Sequence, residues 1–169
     1  MRTYAAGTRV GESRSREQIG RLLREFGASG IQWSDEFVPV RSVTLRFIWT
    51  HEGVPLTARH RIIMDYADIE ERCKHARSGR LLNSKFEREV KNWSNEVHRT
   101  LLLFLKGSLY AIANGIIKAE QLFLAMIEDV SGQTVGEIMS EKLASLPRLH
   151  ATALLLTNGR RNANNGDAS

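Results

Sequence analysis

Residues 42–65 read SVTLRFIWTHEGVPLTARHRIIMD, and the alternation within them decides the fold. In the first half Val43, Leu45, Phe47 and Trp49 fall on one face of an extended chain. Ser42, Thr44, Arg46 and Thr50 fall on the other, with Ile48 as the exception. In the second half Val54, Leu56, Ala58, His60, Ile62 and Met64 form the apolar set, opposed by Thr57, Arg59, Arg61 and Ile63. A two-residue loop at Glu52 and Gly53 makes the two patterns agree. It pairs His51 with Val54, Phe47 with Ala58, Leu45 with His60 and Arg46 with Arg59. A slip of one residue would set apolar side chains against polar ones across the sheet.

This register has an electrostatic consequence. Arg46 faces Arg59, Thr44 faces Arg61, and three arginines share the exposed sheet face. Like charges directly opposite each other cost about a few tenths to one kcal/mol. The arrangement therefore calls for an anion, either a ligand phosphate or a carboxylate from elsewhere in the chain. His60 turns inward beside Leu45 as a packed core histidine, and Arg41 sits at the rim of the strand entrance.

Outward from this hairpin the segment SRSREQIGRLLREFGASG predicts an amphipathic helix. Ser13 or Ser15 is placed to cap it, with Gln18 completing a capping box after Ser15, and Gly27 ends it. Ile19, Leu22, Leu23 and Phe26 form its apolar stripe. A short strand follows around 31–33. After Asp65 the signals become helical, over roughly 66–77, 81–115, 118–130 and 134–146, with breaks at 78–79 and 131–132. The fold class expected is α+β: an N-terminal helix on a small antiparallel sheet of about three strands, then a helical C-terminal half with a long apolar helix. The organisation expected is a helix-plus-sheet module over 1–65, a helical region packed on it over 66–157, and a disordered polar tail over 158–169.

The chain has 169 residues, 42% of them hydrophobic and 25% charged, enough to bury a real core. Its formal net charge of +5 favours polyanions, a statement about association and not about fold. Every basic residue before Lys74 is arginine, which suits phosphate and which base composition of the gene would also produce. The single cysteine, Cys73, excludes an intramolecular disulfide framework and a cysteine-rich zinc site. The N-terminus lacks the apolar run of a signal peptide, and the apolar run at 101–117 is interrupted by Lys106, Gly107, Ser108 and Asn114. No membrane association is expected, and the location expected is cytoplasmic.

Three constellations carry chemistry. Arg46, Arg59 and Arg61 with Thr44 and Thr57 could contact a sugar-phosphate backbone, although no aromatic platform for single strands lies on that face. Arg77, Arg80, Lys85 and Arg88 could extend the track along a basic helix, or form a solvated face with ordinary pairs such as Glu87 and Lys91. Glu71 and His75 lie one helical turn apart, too little to make a metal site, and no cofactor or catalytic motif is present. Lys106 either reaches solvent from its apolar helix or pairs with an acid in a helical interface built on Leu101, Leu105, Tyr110 and Ile112.

Several phrases taken in order resemble a family of small, functionally uncharacterised proteins encoded in bacteriophages, prophages and their hosts. These are SRSREQIGRLLREFGAS, ARHRI, WSNEVHRTLLLFLKGSLYAIANGI, and EQLFLAMI followed by GQTVGEIM. The resemblance rests on Ser13, Gly27, Ala28, Arg59, Arg61, Trp93, Lys106, Gly115, Phe123, Leu124, Gly132 and Thr134. The chain departs from the pattern at Ser94, Asn95 and Glu96, where a basic residue usually follows the tryptophan, and by a longer first hairpin. The resemblance implies a mobile-element context in a bacterial host, where small basic proteins often handle DNA.

The function expected is non-catalytic nucleic-acid binding, DNA ahead of RNA, through the arginine-bearing sheet face. The alternative is a protein-interaction, assembly or inhibitor module that self-associates as a homo-oligomer through its apolar helix and docks an acidic protein surface.

Overall fold

The computed structural model describes residues 5, 8–37, 41–73 and 79–145. Its elements run α1 (Glu12–Phe26), β1 (Gly30–Glu36), β2 (Ser42–His51), β3 (Val54–Ile63), α2 (Tyr66–Cys73), α3 (Gly79–Ala113), α4 (Ala119–Phe123) and α5 (Val135–Ser145), with a 3-10 turn at Leu124–Met126. The fold is α+β, as the sequence predicts. The three strands form one antiparallel sheet in the order β1-β2-β3. The expected tail at 158–169 lies outside the described residues.

The hairpin adopts the predicted register, with Arg46 opposite Arg59, Leu45 opposite His60 and Thr44 opposite Arg61. Glu52 and Gly53 both take positive φ, 50° and 81°, the backbone twist that a two-residue hairpin loop requires. Val43, Leu45, Phe47 and Trp49 are all buried on the inner face, as period two demands. β1 is longer than predicted and pairs along its whole length with β2, so that Trp33 and Asp35 also face inward beside Leu45 and Val43.

Both long helices lie across that inner face. Ile19 and Leu23 of α1 and Leu101, Leu102, Leu105 and Leu109 of α3 close over Leu45, Phe47 and Trp49, with Phe123 sealing one end. Each fully buried Leu, Ile or Phe contributes about 1.5–3 kcal/mol of transfer free energy. A second cluster of Val43, Met64, Ile69 and Trp93 fixes α2 and the first half of α3. Contacts from Glu12 to Asn95, Arg16 to His98 and Gln18 to Arg99 advance in the same direction, so α1 and α3 run parallel, side by side.

Two sequence expectations need correction. Neither Ser13 nor Ser15 caps α1. Gly11 is the N-cap, Ser15 is fully buried, and the Glu12 amide donates to Asn95 Oδ1 at 2.9 Å, a cap supplied from α3. The helix expected over 118–130 stops at Phe123. After the 3-10 turn, Ile127 becomes extended and bridges Ala58 at the free edge of β3, where the Glu128 amide donates to the Thr57 carbonyl at 2.8 Å.

Candidate functional site

The predicted arginine cluster exists, and the chain supplies its own anions. Glu128, delivered to the edge of β3 by that bridge, accepts from Arg46 Nε at 3.0 Å and from Arg59 Nε at 3.2 Å. One carboxylate thus sits between the two guanidiniums that the register sets face to face, with only 11% of its side-chain surface exposed. Arg59 also donates to Glu137. Arg61 donates to Glu36 at 2.7 Å across β2, while the Ser42 hydroxyl between them donates to the same carboxylate at 3.0 Å. Three arginines therefore meet three carboxylates, and the face is close to neutral.

Local sequence builds the acids into place. Asp129 Oδ1 accepts from the Ser131 hydroxyl at 2.6 Å and from the Ser131 and Gln133 amides at 2.8 and 3.0 Å, folding a tight turn. The Ser131 hydroxyl first, then these amides, holds its carboxyl below the usual carboxylate range. Thr134 and Glu137 form a reciprocal capping box at the start of α5, at 3.2 Å and 2.8 Å. The Thr134 amide, and more weakly Arg59, lowers the Glu137 carboxyl as well. Gly136 lets this corner close, since a Cβ there would stand 2.8 Å from the Ala125 carbonyl oxygen.

The remaining predicted residues scatter. Thr44 is buried beneath this ionic lattice, and Thr57 is half-buried, its carbonyl taken by Glu128. Lys85 and Arg88 belong to α3, in the layer on the opposite side of the sheet from the three arginines. Arg77, His75 and the side chains of Glu71 and Arg80 lie outside the described residues. Leu101 and Leu105, expected at an interface, are instead core residues facing the sheet, 3% and 1% exposed. The long apolar helix divides by face. Phe104 stacks on His60 with ring centroids 6.0 Å apart, and Tyr110 is exposed. Lys106 reaches solvent. Among the described residues no group of histidines, cysteines and carboxylates could hold a metal ion. No described helix is long and apolar enough to cross a membrane.

Two features were not anticipated from the sequence. The first is a polar node where α1, β1 and α3 meet. Arg16 Nη2 donates to both carboxylate oxygens of Asp35 at 2.6 and 2.8 Å and pairs with Glu12 at 2.9 Å, and the guanidinium lies 4.8 Å over the Trp33 ring. Its Nε donates to Nε2 of the fully buried His98 at 2.8 Å. His98 Nδ1 then donates to the Ser94 carbonyl at 2.7 Å, so the ring is neutral with its proton on Nδ1. Burial pushes its pKa down, with nearby Arg16 acting in the same direction. A polar residue such as His98 within a helix's buried stripe is the available signal, but the sequence does not name its partners.

The second feature is an open groove of about 340 Å³ between α1 and α3, on the side away from the sheet. Leu22 and Phe26 form one wall, Leu109, Tyr110 and Ile112 the other, with Glu25 and Lys106 at the rim. Across Leu22 and Lys106 it adjoins a second, more basic trough of about 310 Å³ lined by Gln18, Arg21 and Arg99. No family model, curated protein or solved structure matches the chain.

Proposed function

We propose that this chain is a non-catalytic protein-interaction and assembly module that docks through the groove between α1 and α3. The observation that carries this reading is a contrast between two surfaces. The sheet arginines, which would have to receive phosphates, are already bonded to Glu128, Glu137 and Glu36. At Arg46 and Arg59 a phosphate must displace Glu128, a carboxylate held by both its ion pairs and a backbone strand contact. The groove, by comparison, presents apolar walls and an exposed Tyr110, a residue type that interfaces favour.

Nucleic-acid binding, DNA ahead of RNA, is the second reading, favoured by the net charge of +5. Its phosphate contacts would then come from helical cations such as Lys85 and Arg88. The phage-family resemblance would place either function in a mobile-element setting in a bacterial cytoplasm.

Site-specific photocrosslinking tests the proposal. With a benzophenone amino acid at position 110 the expected result is covalent adducts with protein, and with the same group at position 63 on the sheet face, none. Adducts with nucleic acid at position 63, or no protein adduct at position 110, would overturn the docking assignment.

A further inference from the structure

We infer that the furrow between α1 and α3 receives an amphipathic helical segment of a partner protein, apolar along most of its length and acidic at one end. The inference rests on the docking reading above and deepens it by naming the chemistry of what docks.

The groove and the trough beside it share Leu22 and Lys106, so they form one continuous furrow. Its two ends differ in kind. The end nearer the start of α1 is lined by Arg21, Arg99 and Lys106, and no carboxylate lines it. The other end is walled by Leu22 and Phe26 on α1 and by Leu109 and Ile112 on α3, with Glu25 the single carboxylate in either lining. From Gln18 to Phe26 the furrow follows α1 for about 12 Å at a rise of 1.5 Å per residue, which is roughly two turns of a docked helix.

The three cations are open to a partner. Arg21 lies 3.4 Å from Glu17, but the two side chains are 68% and 69% exposed, and an ion pair so exposed holds its members weakly. Lys106 is exposed, and Arg99 is half-buried, donating to the neutral Gln18 side chain at 3.3 Å. Cations gathered around a depression that no acid lines favour an anion there.

The apolar end decides what carries that anion. A nucleic-acid backbone bears a charge at every residue and would lay phosphates along the walls of Leu22, Phe26, Leu109 and Ile112. A peptide helix can set apolar side chains three and four residues apart against those walls and confine its carboxylates to the end over Arg21, Arg99 and Lys106. Glu25 fixes the polarity of docking, because it repels an acidic end laid at the apolar half.

Selection of a displayed library of random helical peptides on the immobilised full chain, followed by fluorescence anisotropy with the enriched peptides, tests the inference. The expected winners carry large apolar residues at helical spacing and a cluster of Asp or Glu at one end. Their affinity should fall as salt rises, and fall by roughly tenfold or more with the double variant Arg21→Glu/Lys106→Glu, whose fold circular dichroism checks. Peptides with Lys in place of the acids should bind that variant better than the wild type. Winners that lack acids, or whose affinity ignores the double reversal, would overturn the inference and leave the docking reading standing. So would an adduct at position 110 that proves to be a second copy of this chain. Duplex DNA that binds the wild type and is lost in the double variant would assign the trough to nucleic acid and overturn the acidic segment. No enriched peptide together with a protein adduct at position 110 refutes the segment alone, and absence of both refutes docking as well.

Discussion

Replacing Glu128 by Gln removes the negative charge between Arg46 and Arg59 while keeping the size of the side chain. The backbone bond from residue 128 to the Thr57 carbonyl does not depend on the side chain, so the strand contact at the sheet edge is retained as an internal control. Two Nε donors at 3.0 and 3.2 Å lose a charged acceptor, and two opposed guanidiniums are left facing each other. A hydrogen bond to a charged group contributes about 1.5–3 kcal/mol, and like charges directly across a sheet add roughly 0.2–1 kcal/mol of repulsion. Arg46 is a third exposed, so its share is discounted for screening, and the amide of Gln still accepts one bond. The expected destabilisation is about 2 kcal/mol. Urea unfolding with the slope unchanged would measure it. A cycle with Arg59→Met should return a coupling of about 1–2 kcal/mol. A change within about 0.5 kcal/mol and a coupling near zero would mean that Glu128 is an ordinary surface acid and that the neutralisation argument is wrong.

Three further outcomes follow from the same structure. Gly136→Ala should lower stability by about 1–3 kcal/mol by forcing the start of α5 away from Ala125, which a thermal melt reports; an unchanged melting temperature would contradict the close approach. Thr134→Ala, which removes one half of the capping box, should cost about 1 kcal/mol, measured by urea unfolding; no loss would mean that the cap does not hold α5. Burial lowers the pKa of both His98 and His60 in the folded chain, so the unfolded chain takes up protons first as pH falls. The associated stability is present above the unfolded value of about 6.5 and is lost as pH falls from there through the folded values, by at most about 1.4 kcal/mol per pH unit for each ring. Urea midpoints from neutral to mildly acid pH should show this, with a flatter profile for His98→Gln; parallel profiles would contradict a neutral His98.

The hairpin was legible because two independent constraints, the period of two and the length of the loop, agree on one register. A carboxylate partner for its arginines was legible as a need but not as a residue. Glu128 lies 82 residues from Arg46, and nothing local in EQLFLAMIED marks one glutamate as bound for a sheet edge. That segment reads as a helix because its apolar spacing is helical, yet pairing with β3 at Ala58 outweighs the local preference after Phe123. The Thr134–Glu137 capping box was written in GQTVGEIM as a threonine followed three residues later by glutamate, and it marks where helix resumes. Leu101 and Leu105 read as an interface yet form core, because a helix that packs on a sheet and one that packs on a partner show the same leucine spacing. Three-dimensional neighbours alone separate the core stripe of Leu101, Leu102 and Leu105 from the exposed Tyr110 on the groove wall.

Arg46 and Arg59 are spent on Glu128 inside the chain. Nitrogen-15 spectra of the arginine Nε–H groups, recorded before and after addition of duplex DNA, report on this pairing. Two Nε–H signals should exchange slowly with water, vanish or broaden in Glu128→Gln, and stay unshifted when DNA is added to the wild type. Fast-exchanging signals in the free protein that sharpen or move on adding DNA would contradict it.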